Sequence, residues 1–505
     1  MTVPVVIVGA GPTGLTAASL LGRYGVECLV LERWESVFPQ PRAVHLDDEV
    51  HRILGRLGLA GEFAAISWPC HGLRLLGPNL RVLAEFRRAP GHGRHGYPQA
   101  AMFDQPDLER LLRTGLQANR PVTVRGNTEV TAISQDDTGV RVEVTDRISR
   151  ARETIHAEYL LGCDGANSGT RSAIGASMTD LRFDQRWLVV DIATTADLGE
   201  WEGVHQVCDP ARAATYMRIG RTRYRWEFRL LPGERSDDFH DRDRLHRLVV
   251  PWTKDVPVDE LDVVRLAEYT FRAQVADRWR DRRVFLLGDA AHLTPPFIGQ
   301  GMGAGLRDGL NLAWKLAGVL DGTLPEQVLD TYQAERKPHA RAMIRTAKLV
   351  GTAMTEGGRV GTLIRRVLAP RLALVPGLSH QILDGETPPL WRRRLGRSLA
   401  GRLCPNAVVD GRRRLDDVTA GRFAVVTVDR PAEPERAAID RCCAVLVIAE
   451  PAGDLHRWLR AGRAAAAVVR PDGTVLRAGR EVAQLCQELP RFDRSLRSDP
   501  SMGKR

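Results

Sequence analysis

The chain has 505 residues, 43% of them hydrophobic, and a formal net charge of +10, so it can bury a large core and is expected to form two to four domains. Acidic residues lie among the arginines throughout, which excludes the clustered basic surface of a typical nucleic-acid-binding protein. No apolar run of about 18 residues could span a membrane, and the eight cysteines have neither disulfide nor metal-ligand spacing, so we expect a cytoplasmic protein without a metal site.

The first predicted unit is a strand, a glycine-rich turn and a helix at the N-terminus. Residues 3–8 are apolar, as expected of a buried strand, and residues 9–14 have the sequence GAGPTG. In a dinucleotide-binding turn the three glycines allow a tight turn, a close backbone approach to a pyrophosphate and close packing of the helix. The second strand ends on Glu32, which is placed to bind ribose hydroxyls. The unit predicts a nucleotide site but leaves FAD and NAD open as alternatives.

Two further segments repeat a simpler plan, in which an apolar strand is followed by glycine and aspartate. Residues 159–162 lead into Asp164 and Gly165, and residues 283–287 lead into Gly288 and Asp289. The second segment continues through a glycine-rich stretch into a helix predicted around 304–320. An aspartate at a strand end can accept hydrogen bonds from hydroxyl groups, and the free N–H groups of the helix N-terminus favour an electronegative ligand edge.

Between these two motifs, residues 185–231 alternate between apolar and polar side chains, which is typical of half-buried strands. We expect these strands to form a sheet that covers the nucleotide. Arginine there would suit a substrate carboxylate or phenolate, and tyrosine a hydroxyl. The alternative for each candidate is a position facing solvent or core, and the candidates are Tyr216, Arg218, Arg225 and Trp226.

Together the three motifs resemble those of the FAD-dependent aromatic hydroxylases, the single-component flavoprotein monooxygenases typified by p-hydroxybenzoate hydroxylase and phenol hydroxylase. The resemblance extends from residue 3 to about residue 345. Within this family the chain most resembles 3-(3-hydroxyphenyl)propionate hydroxylases and actinobacterial polyketide hydroxylases. The segments that carry this finer resemblance are 41–49, 208–212, 225–228 and 231–234.

The resemblance implies a role for each motif residue. Glu32 would bind the adenosine ribose, Arg42 the phosphates and Gln105 the ribityl region, while the Asp164–Gly165 turn would serve both FAD and the nicotinamide cofactor. Asp289 would bind the ribityl chain or the pyrophosphate. The full set of implied FAD-binding residues is Gly9, Gly11, Pro12, Thr13, Gly14, Glu32, Arg33, Arg42, Gln105, Asp164, Gly165, Asp289, Pro296, Gly299, Gly301 and Met302.

Two positions are implied as catalytic, Pro296 and His45. The Pro296 carbonyl would face the flavin, and the backbone at His45 would border the other edge of the ring. His292, in contrast, is expected to support the turn in which it lies.

The implied fold is α/β, or α+β overall, with a Rossmann-like FAD-binding domain, an interleaved antiparallel-sheet substrate domain and a C-terminal thioredoxin-like domain. The tail resembles that of phenol hydroxylases, but Cys442 and Cys443 are adjacent and lack the redox spacing, so we expect packing or dimerisation there. The expected boundaries are 1–180 for the first part of the FAD-binding domain with a substrate-domain excursion near 70–100, 181–275 for the substrate sheet, 276–345 for the second FAD-binding part, 346–397 for a helical connector and 398–495 for the tail.

The implied activity is hydroxylation of a phenolic or polycyclic aromatic substrate, with FAD as cofactor, NADH or NADPH as reductant and a flavin C4a-hydroperoxide as oxidant. The expected partners are therefore the aromatic substrate, dioxygen and NAD(P)H, and a homodimer is a further expectation. Two alternatives stay open: another flavin oxygenase on this fold, of the epoxidase or Baeyer–Villiger type, and a non-catalytic nucleotide-binding protein.

Overall fold

The structure is a computed structural model that describes residues 2–39, 42–88, 91–117, 121–209, 211–355, 387–391 and 398–494. Most of the expected connector over 346–397 lies outside these residues. In the described ranges, no helix is both long enough and apolar enough to cross a membrane.

The N-terminal part alternates short strands and helices. Its elements in chain order are β1 (Thr2–Val8), α1 (Pro12–Arg23), β2 (Cys28–Leu31), β3 (His45–Asp47), α2 (Asp48–Arg56), α3 (Ala60–Ile66), β4 (Ser67–Pro69), β5 (Gly72–Leu76), β6 (Val82–Arg87), β7 (Ala100–Phe103), α4 (Gln105–Gln117), β8 (Val122–Arg125), β9 (Thr128–Gln135), β10 (Val140–Asp146), β11 (Arg152–Gly162) and α5 (Gly169–Ala173).

The middle of the chain contributes long strands followed by two long helices. These elements are β12 (Met178–Ala193), β13 (Val204–Val207), β14 (Ala214–Arg218), β15 (Arg223–Arg229), α6 (Arg242–Thr253), β16 (Asp262–Ala276), β17 (Arg280–Asp281), β18 (Val284–Leu286), β19 (His292–Leu293), α7 (Gly301–Leu320) and α8 (Asp330–Thr355).

The C-terminal unit, residues 398–494, is built from short elements. They are β20 (Val408–Val409), β21 (Arg413–Arg414), α9 (Leu415–Thr419), β22 (Ala424–Thr427), α10 (Glu433–Arg441), β23 (Val445–Ile448), α11 (Asp454–Ala461), β24 (Ala466–Val469), β25 (Val475–Gly479) and α12 (Val482–Gln487).

The first sheet has a parallel centre in the order β18, β11, β1, β2, β8, with β17 antiparallel at one edge and the β9–β10 pair joined to β11. Strands β1 and β2 are apolar and almost fully buried, as expected of parallel strands covered on both faces. Helix α1 packs on α7, where Gly309 leaves room for Ala17. The parallel core of an α/β domain, expected from the sequence, is confirmed.

The second sheet has eight strands in the order β19, β16, β12, β15, β14, β13, β5, β6 and is mostly antiparallel. Strands β5 and β6 come from the region near residues 70–100 and lie at its edge. One face forms a core against α6 that includes Leu188, Trp226 and Trp252. Because side chains alternate across a strand, the intervening residues point to the opposite face, toward the first sheet and its helices. The predicted antiparallel sheet is therefore also confirmed.

The C-terminal unit has a four-stranded sheet in the order β23, β22, β24, β25, in which only the β22–β23 pair is parallel. It has its own apolar core around Leu415, Val426 and Leu459. A thioredoxin-like topology stays a prediction for this unit. Cys442 lies at the end of α10, where its thiol donates to the Leu489 carbonyl over 3.3 Å.

A buried ion pair holds the centre of the second sheet, and breaking it tests the packing described above. Arg225 donates to both carboxylate oxygens of Asp191 over 2.6 and 2.9 Å, and both side chains are buried. Removing one partner of such a pair typically costs about 3–5 kcal/mol. We expect Asp191→Ala to lower the free energy of unfolding by that amount in urea titrations.

The matched control is the half-exposed cross-strand pair between Arg186 and Glu268 on the same sheet. There Glu268→Ala should cost less than about 1 kcal/mol. Equal losses from the two variants would contradict the buried placement of Asp191.

Candidate active site

The three motifs of the sequence lie side by side at one edge of the first sheet. Val8 is paired with both Leu31 and Gly162, and Gly162 is paired with Leu286, so four strands end in line. Main-chain bonds continue this alignment one residue further: the N–H groups of residues 9, 163 and 287 donate to the neighbouring strand ends over 2.8, 2.8 and 2.9 Å. The carboxyl edge of a parallel sheet is where α/β proteins bind nucleotides.

The glycines of the first turn have different roles. Gly9 has a φ of +102°, and a Cβ added there would lie 2.5 Å from the Cys163 carbonyl oxygen. A Cβ on Gly14 would lie 2.0 Å from the Gly9 carbonyl oxygen, so both positions are required by protein packing. A Cβ on Gly11 would meet nothing within 4 Å. The open side of the turn is therefore at Gly11, next to the N-terminus of α1, which has no side-chain cap.

Neighbouring residues stabilise this turn. Glu32 accepts from the Ala10 N–H over 2.7 Å and from the Trp34 N–H over 3.1 Å, so it joins the end of β2 to the turn. The Thr13 side chain fills the space left by the glycines at positions 288 and 305, which leaves its main chain for a ligand. Arg33 is exposed, with its guanidinium 5.4 Å from the Trp34 ring centre.

The second motif is a tightly bonded turn. Asp164 accepts from the Ser168 hydroxyl over 2.6 Å and from the Thr170 N–H over 2.9 Å, which fixes the start of α5. Gly165 has a φ of +79° and faces open space. Arg171 donates to the carbonyls of residues 166 and 290 over 2.9 and 3.1 Å, and so links this motif to the third.

The third motif presents a carboxylate at the same edge. The Asp289 side chain is exposed, and no group in the described ranges donates a hydrogen bond to it. Desolvation by the surrounding protein nevertheless raises its pKa, against the opposing effect of His292 and Arg42. Such a carboxylate can accept hydrogen bonds from ligand hydroxyls.

Asp308 stabilises the third motif through hydrogen bonds from Gly288 and His292. This buried carboxylate accepts from the Gly288 N–H over 3.0 Å, from His292 Nε2 over 2.8 Å and from Arg336 Nε over 2.8 Å. Its pKa is low because His292 and Arg336 outweigh the effect of burial. His292 therefore supports the turn.

The stretch 296–303 forms an open helix mouth. Residues Pro296–Ile298 make one turn of 3-10 helix, and the Gly299 N–H donates to the Pro296 carbonyl over 2.8 Å. Gly299 has a φ of +63°, and a Cβ there would lie 2.6 Å from His45 Nδ1. Helix α7 then begins at Gly301 without a side-chain cap, so the first N–H groups, including that of Met302, are available to a ligand.

A buried polar network fixes this mouth. Asp47 caps α2 by accepting from the Val50 N–H over 2.8 Å. Its second oxygen accepts from Gln300 Nε2 and from Arg307 Nη2, each over 2.6 Å. Arg307 Nε also lies 2.9 Å from a Glu49 oxygen. Desolvation raises the pKa of Asp47, but the Arg307 charge outweighs it and the net pKa is low, so the network is ionised at neutral pH.

His45 lies against the mouth at the start of β3. Burial and the Arg88 charge lower its pKa to about 4, so its imidazole is neutral at pH 7. Its ring fills the space beneath Gly299. The side chain is placed to support the turn, and a backbone contact with the flavin stays a prediction.

Arg42 and Gln105 occur together at the rim. Gln105 Oε1 accepts from the Ala43 N–H over 2.6 Å, and its Nε2 donates to Glu109 over 2.6 Å, so this side chain fixes the 42–44 segment. Arg42 is exposed, and its charge acts on both Asp289 and Tyr269. Phosphate binding by Arg42 and ribityl binding by Gln105 stay predictions.

The structure places the four proposed substrate residues in two environments. Tyr216 and Trp226 lie in the core on the α6 face of the second sheet, with the Tyr216 ring 5.2 Å from Trp226 and 5.9 Å from Trp252. Arg218 lies over Trp68 at 4.1 Å and donates to Glu202 over 3.0 Å. Arg225 is on the opposite face and is held by Asp191. A substrate contact stays a prediction for all four.

The face opposite α6 carries an aromatic wall that the sequence did not reveal. Trp187 stacks on Phe271 with ring centres 5.3 Å apart. Phe297, from the helix mouth, meets these rings edge-on at 5.8 and 6.1 Å and also packs on Phe183 at 5.8 Å. The wall joins the second sheet directly to the turn before α7.

Glu227 stands on the same face of the sheet. The residue is 9% exposed, and its carboxylate lies 3.9 Å from Arg225 Nη1. Burial raises its pKa, against the opposing charge of Arg225. No hydrogen bond to this carboxylate is formed by the residues that the structure describes. A buried acid of this kind usually has a partner, which a bound ligand can supply.

Two of the missed features left a signal in the sequence. The acidic run at residues 47–49 directly follows a short strand, as helix caps do, so Asp47 could have been identified as an N-cap. Glu227 alternates with the aromatic residues of its strand, which places it on the opposite face. The partners of the aromatic wall come from distant segments and had no local signal.

The family and its relatives agree with this geometry. Residues 2–347 match the family described as FAD binding domain. The 3-(3-hydroxy-phenyl)propionate/3-hydroxycinnamic acid hydroxylase of Mycolicibacterium smegmatis (strain ATCC 700084 / mc(2)155) is 33% identical, over 96% of this chain and 92% of that protein. The probable NADH-specific resorcinol 4-hydroxylase of Rhodococcus jostii (strain RHA1) is also 33% identical, over 96% of this chain and 93% of that protein.

A solved structure shows the same architecture. OxyS anhydrotetracycline hydroxylase from Streptomyces rimosus superposes with a TM-score of 0.78 at 26% identity, over 98% of this chain and 100% of that chain. The chain therefore belongs to the FAD-binding monooxygenase family, as an FAD-dependent enzyme of the aromatic hydroxylase class.

The residues at the sheet edge fit FAD. The open side of Gly11 and the uncapped start of α1 suit a pyrophosphate, Glu32 retains acceptor capacity for a ribose, and Asp289 can accept from the ribityl hydroxyls. The uncapped start of α7 suits the electronegative edge of the flavin ring. These residues would hold the cofactor.

The contrast between Gly11 and Gly14 tests the pyrophosphate site. In Gly11→Ala the new methyl group meets no protein atom but enters the ligand space, so FAD affinity should fall at least about tenfold. Thermal unfolding of the apoprotein should stay within about 2 °C of the native value. The measurements are fluorescence titration of the apoprotein with FAD and a thermal melt.

Gly14→Ala is the matched variant, because its methyl group clashes with the Gly9 carbonyl. It should lower apoprotein stability by about 1–3 kcal/mol. Native FAD affinity in Gly11→Ala would contradict the placement of the pyrophosphate.

Asp289→Ala tests the hydroxyl-binding carboxylate. The apoprotein should fold normally but lose at least about tenfold in FAD affinity. Since the Asp289 pKa is raised, the native affinity should fall as the pH is lowered from 7.5 toward that pKa, because protonation removes the charged acceptor. The variant should lack this part of the pH dependence. A variant that purifies fully yellow, with the FAD affinity of native protein at pH 7.5 and at lower pH, would exclude the assignment.

Proposed function

We propose that the chain hydroxylates a phenolic or polycyclic aromatic ring bound beside the helix mouth at 296–303, against the face of the second sheet opposite α6, with NADH or NADPH as reductant. The observation that carries the proposal is the direct contact of Phe297 with Trp187 and Phe271. It places the α7 N-terminus next to a buried aromatic cluster, of which Phe297 is the partly exposed member. A flat apolar ligand next to a polar cofactor edge requires this combination.

Bound FAD supplies the redox chemistry, which uses a hydride from the nicotinamide cofactor and dioxygen. The protein contributes orientation, charge and exclusion of water. The free N–H groups at the start of α7 stabilise negative charge on the adjacent ligand edge. Trp187 and Phe271 are buried behind Phe297, and this apolar packing excludes water from that side of the helix mouth.

Glu227 is the polar group best placed to orient a phenol. Its buried carboxyl group can accept the hydrogen bond of a phenolic hydroxyl; burial raises its pKa, and the Arg225 charge beside it opposes this shift. Accepting that hydrogen bond increases electron density on the ring, which favours attack by an electrophilic oxygen. The names of the two 33% identical relatives, which specify hydroxyphenylpropionate and resorcinol, support a small phenolic substrate.

The experiment is a substrate screen on the purified yellow protein. Oxidation of NADH and NADPH is followed with 3-hydroxyphenylpropionate, resorcinol and a polycyclic phenol, and products are analysed under ¹⁸O₂. We expect at least one phenol to accelerate NAD(P)H oxidation and to gain one labelled ring hydroxyl. Labelled oxygen inserted within a ring, or hydrogen peroxide as the sole product with every phenol, would contradict the proposal.

The role of Glu227 has its own test. Glu227→Gln keeps the shape but weakens the acceptor, so the KM for the phenol should rise about tenfold while FAD affinity stays native. The control Glu268→Gln changes an acid outside the site, on the same sheet, and should leave KM unchanged. A native KM in Glu227→Gln would remove this residue from the substrate site.

A further inference from the structure

The C-terminal unit contacts the rest of the chain through a buried charge cluster centred on Asp416. This carboxylate accepts from Nε and Nη2 of Arg52, each over 2.6 Å, and from Nε and Nη2 of Arg56 over 2.9 and 2.7 Å. Burial raises the pKa of Asp416, but the two guanidinium groups outweigh it and hold the pKa far below its ordinary value. The acid is therefore ionised at neutral pH.

The same two arginines also bond to main-chain groups of the C-terminal unit. Arg52 Nη1 donates to the Cys404 carbonyl over 2.6 Å, and Arg56 Nη1 donates to the Pro471 carbonyl. The arginines are one turn apart on α2 and therefore share a face of that helix. The C-terminal unit thus binds one face of α2 through hydrogen bonds to both arginines.

Helix α2 is the element whose N-cap fixes the mouth at 296–303. Its cap, Asp47, accepts from both Gln300 and Arg307, as described above. Arg52 lies about 8 Å along the helix axis from that cap. Any shift of α2 therefore moves the group that holds the start of α7.

We infer that Asp416 is a positioning residue for the flavin site: by binding Arg52 and Arg56 it fixes α2, and α2 in turn fixes the N-terminus of α7. The C-terminal unit thereby contributes to the flavin site through α2. It rests on FAD lying at the sheet edge as proposed above.

A second contact between the same parts of the chain serves as an internal comparison. Arg470 of the C-terminal unit pairs with Glu335 of α8 over 2.8 Å, and Trp314 of α7 donates to Asp472 over 3.3 Å. Asp472 also pairs with Arg470. This contact is as buried as the first but lies about 20 Å along α7 from Gly301. In the described residues neither Arg470 nor Asp472 has a hydrogen bond to α2, although Pro471 between them accepts from Arg56.

The two contacts predict different consequences of losing one acid. Asp472→Asn weakens the attachment of the C-terminal unit but leaves the four hydrogen bonds between Asp416 and α2 in place. Asp416→Asn weakens attachment and also frees α2. An effect on the flavin site that appears only in Asp416→Asn is therefore due to positioning, whereas loss of attachment alone affects both variants.

The experiment uses the full-length chain and titrates each apoprotein with FAD, followed by fluorescence. We expect Asp416→Asn to bind FAD about tenfold more weakly than native protein and Asp472→Asn to bind within twofold of it. At saturating FAD, the visible circular dichroism of the bound flavin should change in Asp416→Asn and stay native in Asp472→Asn. Asp454→Asn, in an exposed pair with Arg457 on the same unit, is the surface control.

Arg56→Gln covers the case in which Asp416→Asn does not fold. It leaves the Arg52–Asp416 pair intact, and we expect a smaller loss of FAD affinity, about threefold, with the same change in dichroism. The inference is overturned if Asp416→Asn or Arg56→Gln binds FAD as tightly as native protein. It is also overturned if Asp472→Asn loses as much FAD affinity as Asp416→Asn. Native protein that binds no FAD would instead overturn the proposed function.

Discussion

The parallel register of the first sheet is the constraint on which the site depends. Strands β18, β11, β1 and β2 end in line at Leu286, Gly162, Val8 and Leu31, and a shift of one strand by a single residue would separate the loops that follow. The close approach of Gly9 to the Cys163 carbonyl is tolerated only in this register, because any side chain would clash there. Packing at Gly9 and Gly14 thus keeps the turn narrow and leaves Gly11 open to a ligand.

The second sheet converts this nucleotide edge into a site for an aromatic ring. Strand β19 follows the third motif and pairs with β16, so the chain passes directly from the sheet edge onto the second sheet. Phe297 then packs on Trp187 and Phe271, which fixes the distance between the helix mouth and the aromatic wall. The buried acid Asp308 stabilises the turn at Gly288, where this stretch of chain begins, and Asp47 stabilises the start of α7, where it ends. The site is thereby assembled between two layers, with polar groups on one side and aromatic rings on the other.

The sequence allowed prediction of features that are local. The glycine turn, the strand-end acids and the alternation of the second sheet are each encoded within a dozen residues, and the parallel and antiparallel sheets follow from them. Alternation could not show which face of a strand meets α6, and the structure places Tyr216 and Trp226 on that face. The partners of Asp47 lie more than 250 residues away, at Gln300 and Arg307. No spacing rule connects such positions, and the same holds for Asp416 and α2.

The most direct test of the account is the electron density of crystals grown with FAD and a phenolic ligand. The account predicts a flavin ring beside the N-terminus of α7, a pyrophosphate at Gly11, and the phenol beside the flavin, against the face of the second sheet that carries Glu227. Density for the nucleotide away from the sheet edge, or for the phenol on the α6 face of the second sheet, would contradict it.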